Sequence, residues 1–237
     1  MSVLSVVQSF CRLHALAVPT SVINSTDTTV VQLLEVVYDV LELMVQESKY
    51  NVTTTEAVFT SIAAEDQGAL TTLAPNGFQY IINETIYDRT LGRALYGPVS
   101  EDDWQALKAL VNPGPFYKYR LWQGHLFMNP APSAPFSQIA FEYVSSYAIK
   151  SAGGALQSRF ILDTDVFVFP EAIIKKALSF RWKQIKGLPY QADETAFWNL
   201  LNNYIVKNKT AKTIDIANPE STSIVPGIFV PSGSWFH

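Results

Sequence analysis

Residues 180–198, FRWKQIKGLPYQADETAFW, contain the turn on which the predicted fold depends. Before the turn, Ile174, Leu178 and Ile185 recur at helical spacing, and after it the apolar positions 197, 200, 201, 204 and 205 do the same. Gly187 stands where a helix commonly stops, and Pro189 prevents the first helix from continuing. The stretch therefore predicts two helices joined at a tight corner.

The same stretch has a second interpretation, as a grip for nucleic acid. Arg181, Lys183 and Lys186 interleave with Phe180 and Trp182, a pattern that is typical of single-strand binders. However, the net charge of −4 and the pI near 5.4 provide no overall positive field for a polyanion. The two lysines also lie in the last helical turn, where cations complement the helix dipole. The corner is therefore the favoured interpretation.

Composition places the chain among globular proteins with a sizeable core. Of its 237 residues, 48% are hydrophobic, 13% are aromatic and only 16% are charged. A surface with few charges and many aromatic and uncharged polar groups is typical of a protein that is largely covered by neighbouring proteins. The single cysteine, Cys11, cannot form an internal disulfide, and we expect it to be buried on a helix.

Two amphipathic helices are predicted near the N-terminus. The first spans about residues 2–16; it is too short to cross a membrane and carries Arg12 and His14, so we expect a core helix and no membrane partner. The second has the apolar stripe of VVQLLEVVYDVLELMVQE, residues 30–47. The short polar connection between them favours an antiparallel pair.

A β-rich region follows, interrupted by one helix that begins after Ser100. It includes a hairpin over residues 117–129 that turns at Gln123 and Gly124, a strand over 139–147, and an extended run over 159–168. The predicted fold class is α+β, an antiparallel helical bundle from the N- and C-terminal helices with an inserted β-rich region and an extended C-terminal arm. The predicted segments are 1–48 and 170–212 for the bundle, 49–169 for the β-rich insertion and 213–237 for the arm.

The arm combines three prolines with large apolar side chains. The prolines exclude a helix, and the apolar residues distinguish the arm from ordinary disordered tails. We therefore expect it to dock on another protein surface. The predicted interface residues are Ile224, Phe229, Trp235 and Phe236.

Residues with catalytic or metal-binding chemistry are sparse. His14, His125 and His237 stand far apart and outside any metal-binding motif. Asp163 and Asp165 form the best acidic pair, and their spacing places both on one face of a strand, where they could bind a cation or act as an acid and base. However, no third acidic group lies nearby, and two carboxylates just before a helix commonly act as caps or as solvated turn groups. We expect no catalytic, cofactor-binding or metal-binding residue, and no enzymatic activity.

Several sequence segments, taken in order, resemble those of the head-to-tail adaptors of tailed bacteriophages, the connector or gatekeeper proteins of the tail tubular protein A type. These segments are VVQLLEVVYDVLELMVQE, FQYIINETIYDRTLGRALYGPVSEDDWQALKAL, YKYRLWQGHLFMNPAP, IAFEYVSSYAI and DTDVFVFPEAIIKKALSFRWKQIKGLPYQADETAFWNLL. Each segment alone is an ordinary helix or strand pattern. The resemblance rests on their order and combination over most of the chain.

This resemblance implies a structural protein of the virion, assembled in the host cytoplasm. Such adaptors form a ring, typically of twelve copies, beneath the portal, and their β-rich part faces the next tail component, a nozzle or tail tube. DNA passes through the channel, and no cofactor is implied. Two alternatives stay open: another tail-tube or baseplate component, and a cell-wall-degrading virion enzyme.

Overall fold

The computed structural model describes residues 1–47, 52–110, 114 and 116–208. Within them the chain forms six helices. In chain order these are α1 (Val3–Leu13), α2 (Thr28–Glu47), α3 (Leu70–Leu73), α4 (Glu101–Ala109), α5 (Glu171–Ile185) and α6 (Gln191–Asn208). The predicted helices at both ends of the chain and after Ser100 are therefore present, with boundaries that differ by a few residues.

The strands of the described residues form three antiparallel sheets. They are β1 (Thr54–Thr60), β2 (Asp66–Ala69), β3 (Phe78–Ile81), β4 (Tyr87–Asp88), β5 (Arg93–Ala94), β6 (Lys118–Trp122), β7 (His125–Asn129), β8 (Gln138–Ser145), β9 (Ile149–Lys150), β10 (Leu156–Gln157) and β11 (Val166–Phe167). The largest sheet has the order β1-β8-β4-β5, and β3 also pairs with β8. The other two have the orders β2-β7-β6 and β10-β9-β11.

The predicted fold class is wrong: the structure is a mixed α/β fold, and its helices are not an antiparallel bundle of the two chain ends. Helices α1, α2 and α6 each pack on α5, so α5 is their common neighbour. Strand residues Ile149 and Phe167, together with Phe160 and Phe169, are buried in the same core. The apolar helix faces are therefore satisfied partly by a small sheet, which helical periodicity cannot reveal.

A second core lies between the two larger sheets. Phe141 and Tyr143 of β8 meet Tyr119 of β6 and Met128 of β7 there, with all four side chains buried. Burial raises the pKa of Tyr119 to about 12. The predicted hairpin at Gln123 and Gly124 is confirmed as β6 and β7, which pair from Lys118 with Asn129 to Trp122 with His125.

The corner between α5 and α6 is present as predicted. Gly187 adopts a φ of +68°, the left-handed conformation that ends many helices. The Leu188 N–H donates to the Lys183 carbonyl oxygen at 2.9 Å, which satisfies a carbonyl of the last turn. The two helices pack on each other through buried Phe180 and Phe197, whose ring centroids lie 5.1 Å apart.

The predicted extended run over 159–168 is largely absent. Only Val166 and Phe167 form a strand, and the preceding residues form a turn. The reason is local: the Asp165 carboxylate accepts hydrogen bonds from the Ile161 and Leu162 backbone N–H groups, at 2.7 and 2.9 Å. A side chain that takes these donors competes with a strand ladder for them.

Candidate functional site

The acidic pair singled out by the sequence has a structural role. Asp163 and Asp165 do not share a strand face, because they lie on the turn that precedes β11. Asp163 Oδ1 accepts from the Val22 and Ile23 N–H groups at 2.9 and 3.0 Å, which ties the turn to the connection between α1 and α2. Asp165 Oδ2 accepts from Gln157 Nε2 at 2.6 Å and from the two N–H groups named above.

These hydrogen bonds determine the ionisation of both carboxyl groups. Burial raises the pKa of Asp163, but the Ser21 side chain and the N–H groups of Ile23 and Val22 outweigh it, so the pKa lies below its usual value. Burial likewise raises the pKa of Asp165, and the N–H groups of Leu162 and Ile161 lower it below the usual value. Both groups are therefore carboxylates at neutral pH. An acid catalyst would need a pKa near the working pH, so this geometry does not favour proton donation.

The cations of the corner stretch are mostly engaged within the chain. Arg181 Nη2 lies 2.6 Å from Asp39 Oδ2 on α2. Asp193 at the start of α6 accepts from Lys183 and from Lys176, the latter at 3.3 Å. The Lys183 hydrogen bond is the largest cause that lowers the pKa of Asp193. These ion pairs hold α5 against its neighbours, so they explain the basic residues without a nucleic acid.

Lys186 has a neutral environment instead. Its Nζ donates to Gln32 Oε1 at 2.9 Å and lies 4.5 Å from the centroid of the Trp182 ring. The contact covers one face of the indole with the lysine side chain. Trp182 itself is buried, so it offers no exposed face on which a base could stack.

The two described histidines lie in separate environments. His14 packs on the Phe10 ring, with 4.3 Å between centroids, and burial, followed by the charge of Lys183, lowers the pKa of His14. His125 Nδ1 lies 2.9 Å from Asp66 Oδ2. The described part of the chain contains no group of three or more His, Cys, Asp or Glu side chains placed to hold a metal ion. Cys11 is buried, as expected, and burial raises the pKa of its thiol.

The outer face of the β2-β7-β6 sheet is a surface that the sequence did not single out. Trp122 is exposed there, 5.6 Å from the Phe127 ring, and the Arg120 guanidinium lies 5.6 Å from the Trp122 ring centroid. Arg120 also pairs with Glu101 at 3.3 Å, and the Asp66 carboxylate lies beside the His125 ring, so the Arg120 cation and two carboxylates flank the aromatic centre. An aromatic centre with a polar rim resembles a protein interface. Successive side chains of a strand point to opposite faces of the sheet, so a predicted strand over residues 118–122 could have placed Arg120 and Trp122 together on this face.

A cavity of about 330 Å³ separates α2 from residues of the neighbouring sheets. Tyr38, Leu41 and Ile149 line it on the apolar side, and the Arg159 guanidinium lies 5.0 Å from the centroid of the Tyr38 ring. The charged side chains of its described lining are Glu42 and Arg159, which have opposite signs. The cavity therefore shows no preference for an ionic ligand of either charge.

Ile224, Phe229, Trp235 and Phe236, the predicted interface residues, lie outside the described residues, as does His237. Among the residues that the structure describes, no helix combines the length and the apolar character needed to cross a bilayer. The sequence matches no protein-family model, and no curated protein is significantly similar to it.

Proposed function

We propose that the chain is a structural protein of a phage virion, one subunit of an adaptor ring that joins the portal of the head to the next tail component. The observation that carries this proposal is the order of the sequence segments between residues 30 and 201, which resembles that of the head-to-tail adaptors. The adaptor also helps to retain DNA or to let it pass.

Exposed large apolar side chains support an assembled state. On the β-rich part they include Tyr96, Phe116 and Trp122, and on the helical part Ile185 and Val206. Scattered apolar residues are ordinary on a protein surface, but clustered aromatic ones indicate contact with partners. Tyr96 and Phe116 contact each other, with 5.8 Å between centroids, so they form one such cluster.

The division into two cores suits an adaptor with a different partner at each end. The helical core contains α1, α2, α5 and α6, and the second core lies between the two larger sheets. In the proposed assembly the helical part binds the portal. The sheet face around Trp122 contacts the nozzle or tail tube, because its aromatic centre provides the residue types that dominate interface energies.

The cell-wall-degrading alternative loses its best candidate residues. Asp163 and Asp165 are engaged by backbone N–H groups, and their lowered pKa values make them poor proton donors. A hydrolysis assay tests this point. Peptidoglycan turnover by pure protein, abolished by the Asp163→Asn and Asp165→Asn changes together, would contradict the structural role.

Electron microscopy of the purified chain, alone and mixed with the portal protein of the same virion, tests the main proposal. We expect closed rings that bind the portal coaxially. Particles that bind tail proteins but not the portal would favour the tail-tube or baseplate alternative. A monomer with no affinity for either would contradict both structural roles.

A further inference from the structure

Strand β1 forms one edge of the largest sheet. Among the described residues it pairs with β8 alone, in an unbroken register from Thr54 with Val144 to Thr60 with Gln138. With seven residues, it is longer than any other described strand at the edge of a sheet. The side of an edge strand that faces away from its neighbour carries backbone N–H and C=O groups that can pair with a further strand.

Hydrogen bonds just beyond both ends of β1 show which of its backbone groups face away from β8. The Ser145 N–H donates to the Thr53 carbonyl oxygen, and the Ser61 N–H donates to the Ser137 carbonyl oxygen, both at 2.9 Å. Because bonded and non-bonded positions alternate in an antiparallel ladder, the odd-numbered residues of β1 bond to β8. We refer to the outward backbone N–H and C=O groups of three even-numbered residues as the open edge: Glu56, Val58 and Thr60. In the described part of the chain these groups have no hydrogen-bond partner.

The sequence of β1 contains none of the usual features that keep an edge strand from pairing. Such edges are commonly interrupted by proline, by lysine or by a bulge. The strand reads TTEAVFT, without proline or lysine, and its register with β8 has no bulge. Threonine, valine and phenylalanine favour extended backbone. The open edge is therefore suited to accept another strand.

The orientation of the helices shows where the chain leaves α6. Helix α2 runs antiparallel to α5, because Lys186 donates to Gln32 while Arg181, earlier in α5, pairs with Asp39 further along α2. Helix α6 also returns along α5, after the corner at Gly187. Helices α2 and α6 therefore both end beside the start of α5.

The start of β1 lies on the same core as the end of α6. Val52, two residues before β1, and Ile205, in the last turn of α6, both pack against the helical core. Five residue steps separate residue 213 from the last residue of α6, and five steps of extended chain reach up to about 17 Å. A chain that leaves α6 can thus run along β1 in the same direction, away from the helical core.

We propose that residues 213–217 of the same chain, TIDIA, add to the open edge of β1 as a parallel strand. This segment lies outside the described residues, and it is the alternating run between α6 and the first proline of the arm, Pro219. Main-chain pairing of an extended segment with a sheet edge is a common mode of recognition. Proline lacks an N–H, so the later parts of the arm are less suited to such pairing.

The alternation of the segment fits the two faces of β1. We place Ile214 opposite Ala57 and Ile216 opposite Phe59. Ala57 is buried in the second core and Phe59 packs against it, so the two isoleucines would extend this apolar face. Asp215 would then lie on the opposite face, beside Val58, which is 46% exposed.

The same placement satisfies most groups of the open edge. In a parallel pair, each bonded residue exchanges hydrogen bonds with the two neighbours of the residue that it faces. Ile214 and Ile216 would donate to the carbonyl oxygens of Glu56 and Val58, and their own carbonyl oxygens would accept from Val58 and Thr60. The remainder of the arm would then continue from beside Thr60, on the β-rich part. This inference goes beyond the adaptor proposal and does not depend on it.

Amide hydrogen exchange of the full-length chain, measured by NMR for single residues, tests the pairing. In the wild type the Val58 and Thr60 N–H groups should exchange about tenfold or more slowly than in a variant with Ile214→Pro and Ile216→Pro, because a hydrogen-bonded N–H exchanges only when the bond opens. Asp215→Pro is the matched control. Its N–H would face away from β1, where proline is tolerated, so this variant should keep the wild-type rates.

The N–H groups of Ala57 and Phe59 are the internal reference. Both face β8, so they should stay protected in all three chains if the sheet remains folded. Val58 and Thr60 that exchange in the wild type as fast as in the double variant would overturn the proposal. Loss of their protection in the Asp215→Pro variant alone would indicate an antiparallel strand and would also overturn it.

A series of protein concentrations distinguishes the chain's own segment from that of a second molecule. Pairing within one chain is independent of concentration, so the exchange rates should not change on dilution. Protection of the open edge that is lost on dilution would assign the added strand to another copy and overturn the proposal. The assembly of rings on the portal is measured separately, so either result leaves the adaptor proposal to its own test.

Discussion

At the scale of single residues, two aspartates organise the junction between α1 and the small sheet. Asp163 binds the connection between α1 and α2, and Asp165 binds its own turn. Both pKa values lie below the usual value in the folded chain, since the hydrogen bonds stabilise the charged forms. Such a group stabilises the fold above its unfolded pKa, and this contribution is lost as pH falls through the folded pKa.

We expect Asp165→Asn to lower the free energy of unfolding at pH 7 by about 1.5–3 kcal/mol, the usual range for hydrogen bonds to a charged group. Below about pH 4 the difference between variant and wild type should shrink, because the wild-type carboxylate becomes protonated. Urea denaturation at a series of pH values measures this. A difference independent of pH would contradict the role of the charge.

Gly77 adopts a φ of +77°, and a Cβ at this position would lie 2.5 Å from Tyr147 Cδ1. Gly77→Ala should therefore destabilise the fold by more than the roughly 1–2 kcal/mol that left-handed backbone alone costs. Gly92→Ala is the control, because Gly92 has a φ of +64° and no atom within 4 Å of the added Cβ. Equal melting temperatures for the two variants would show that the contact with Tyr147 is unimportant.

At the scale of elements, α5 is the centre of the helical part. Its buried residues include Ile174, Ser179 and Phe180, which lie on different faces of a helix with 3.6 residues per turn, so it meets α1, α2 and α6 at once. Ion pairs of Arg181 with Asp39 and of Lys183 with Asp193 connect it to α2 and α6. The basic stretch is therefore part of the helix packing.

Leu200 and Leu201 provide a matched test of α6. Leu201 is fully buried, whereas Leu200 is exposed on the same helix. Leu201→Ala should cost roughly 2–5 kcal/mol, because it removes buried methyl groups and leaves a cavity. Leu200→Ala should change stability by less than about 1 kcal/mol. Thermal denaturation of the two variants decides the point: similar melting temperatures would mean that the assigned buried face is wrong.

At the scale of the whole molecule, the chain combines two cores whose residues are not consecutive in sequence. The predicted β-rich segment, 49–169, contributes to both, since Ile149 and Phe160 lie in the helical core while Phe141 and Tyr143 lie between the larger sheets. Nothing in the structure tests the predicted domain boundaries, which stay a prediction.

The predicted docking of the C-terminal arm, residues 213–237, can be tested in the full-length chain. Changing Phe229, Trp235 and Phe236 to Ala should weaken binding to the portal or to a neighbouring copy by about tenfold or more, because aromatic anchors carry most interface energy. The melting temperature of the isolated subunit should stay unchanged. A lowered melting temperature with normal binding would place these side chains in the core of the subunit instead.

Local pattern alone determined the long helices, the hairpin at Gln123 and Gly124, and the corner at Gly187, because periodicity and turn residues act between neighbours in sequence. Local pattern also marked Asp163 and Asp165 as notable without revealing their roles, whereas the resemblance to phage adaptors rests on the order of the quoted segments and stays a prediction. Tertiary structure decided that α5 is the common neighbour of the other long helices, that a small sheet completes their core, and that Asp165 ends the predicted extended run. These features depend on contacts such as Val22 with Asp163, 141 residues apart, and no local pattern encodes which distant N–H a carboxylate will meet.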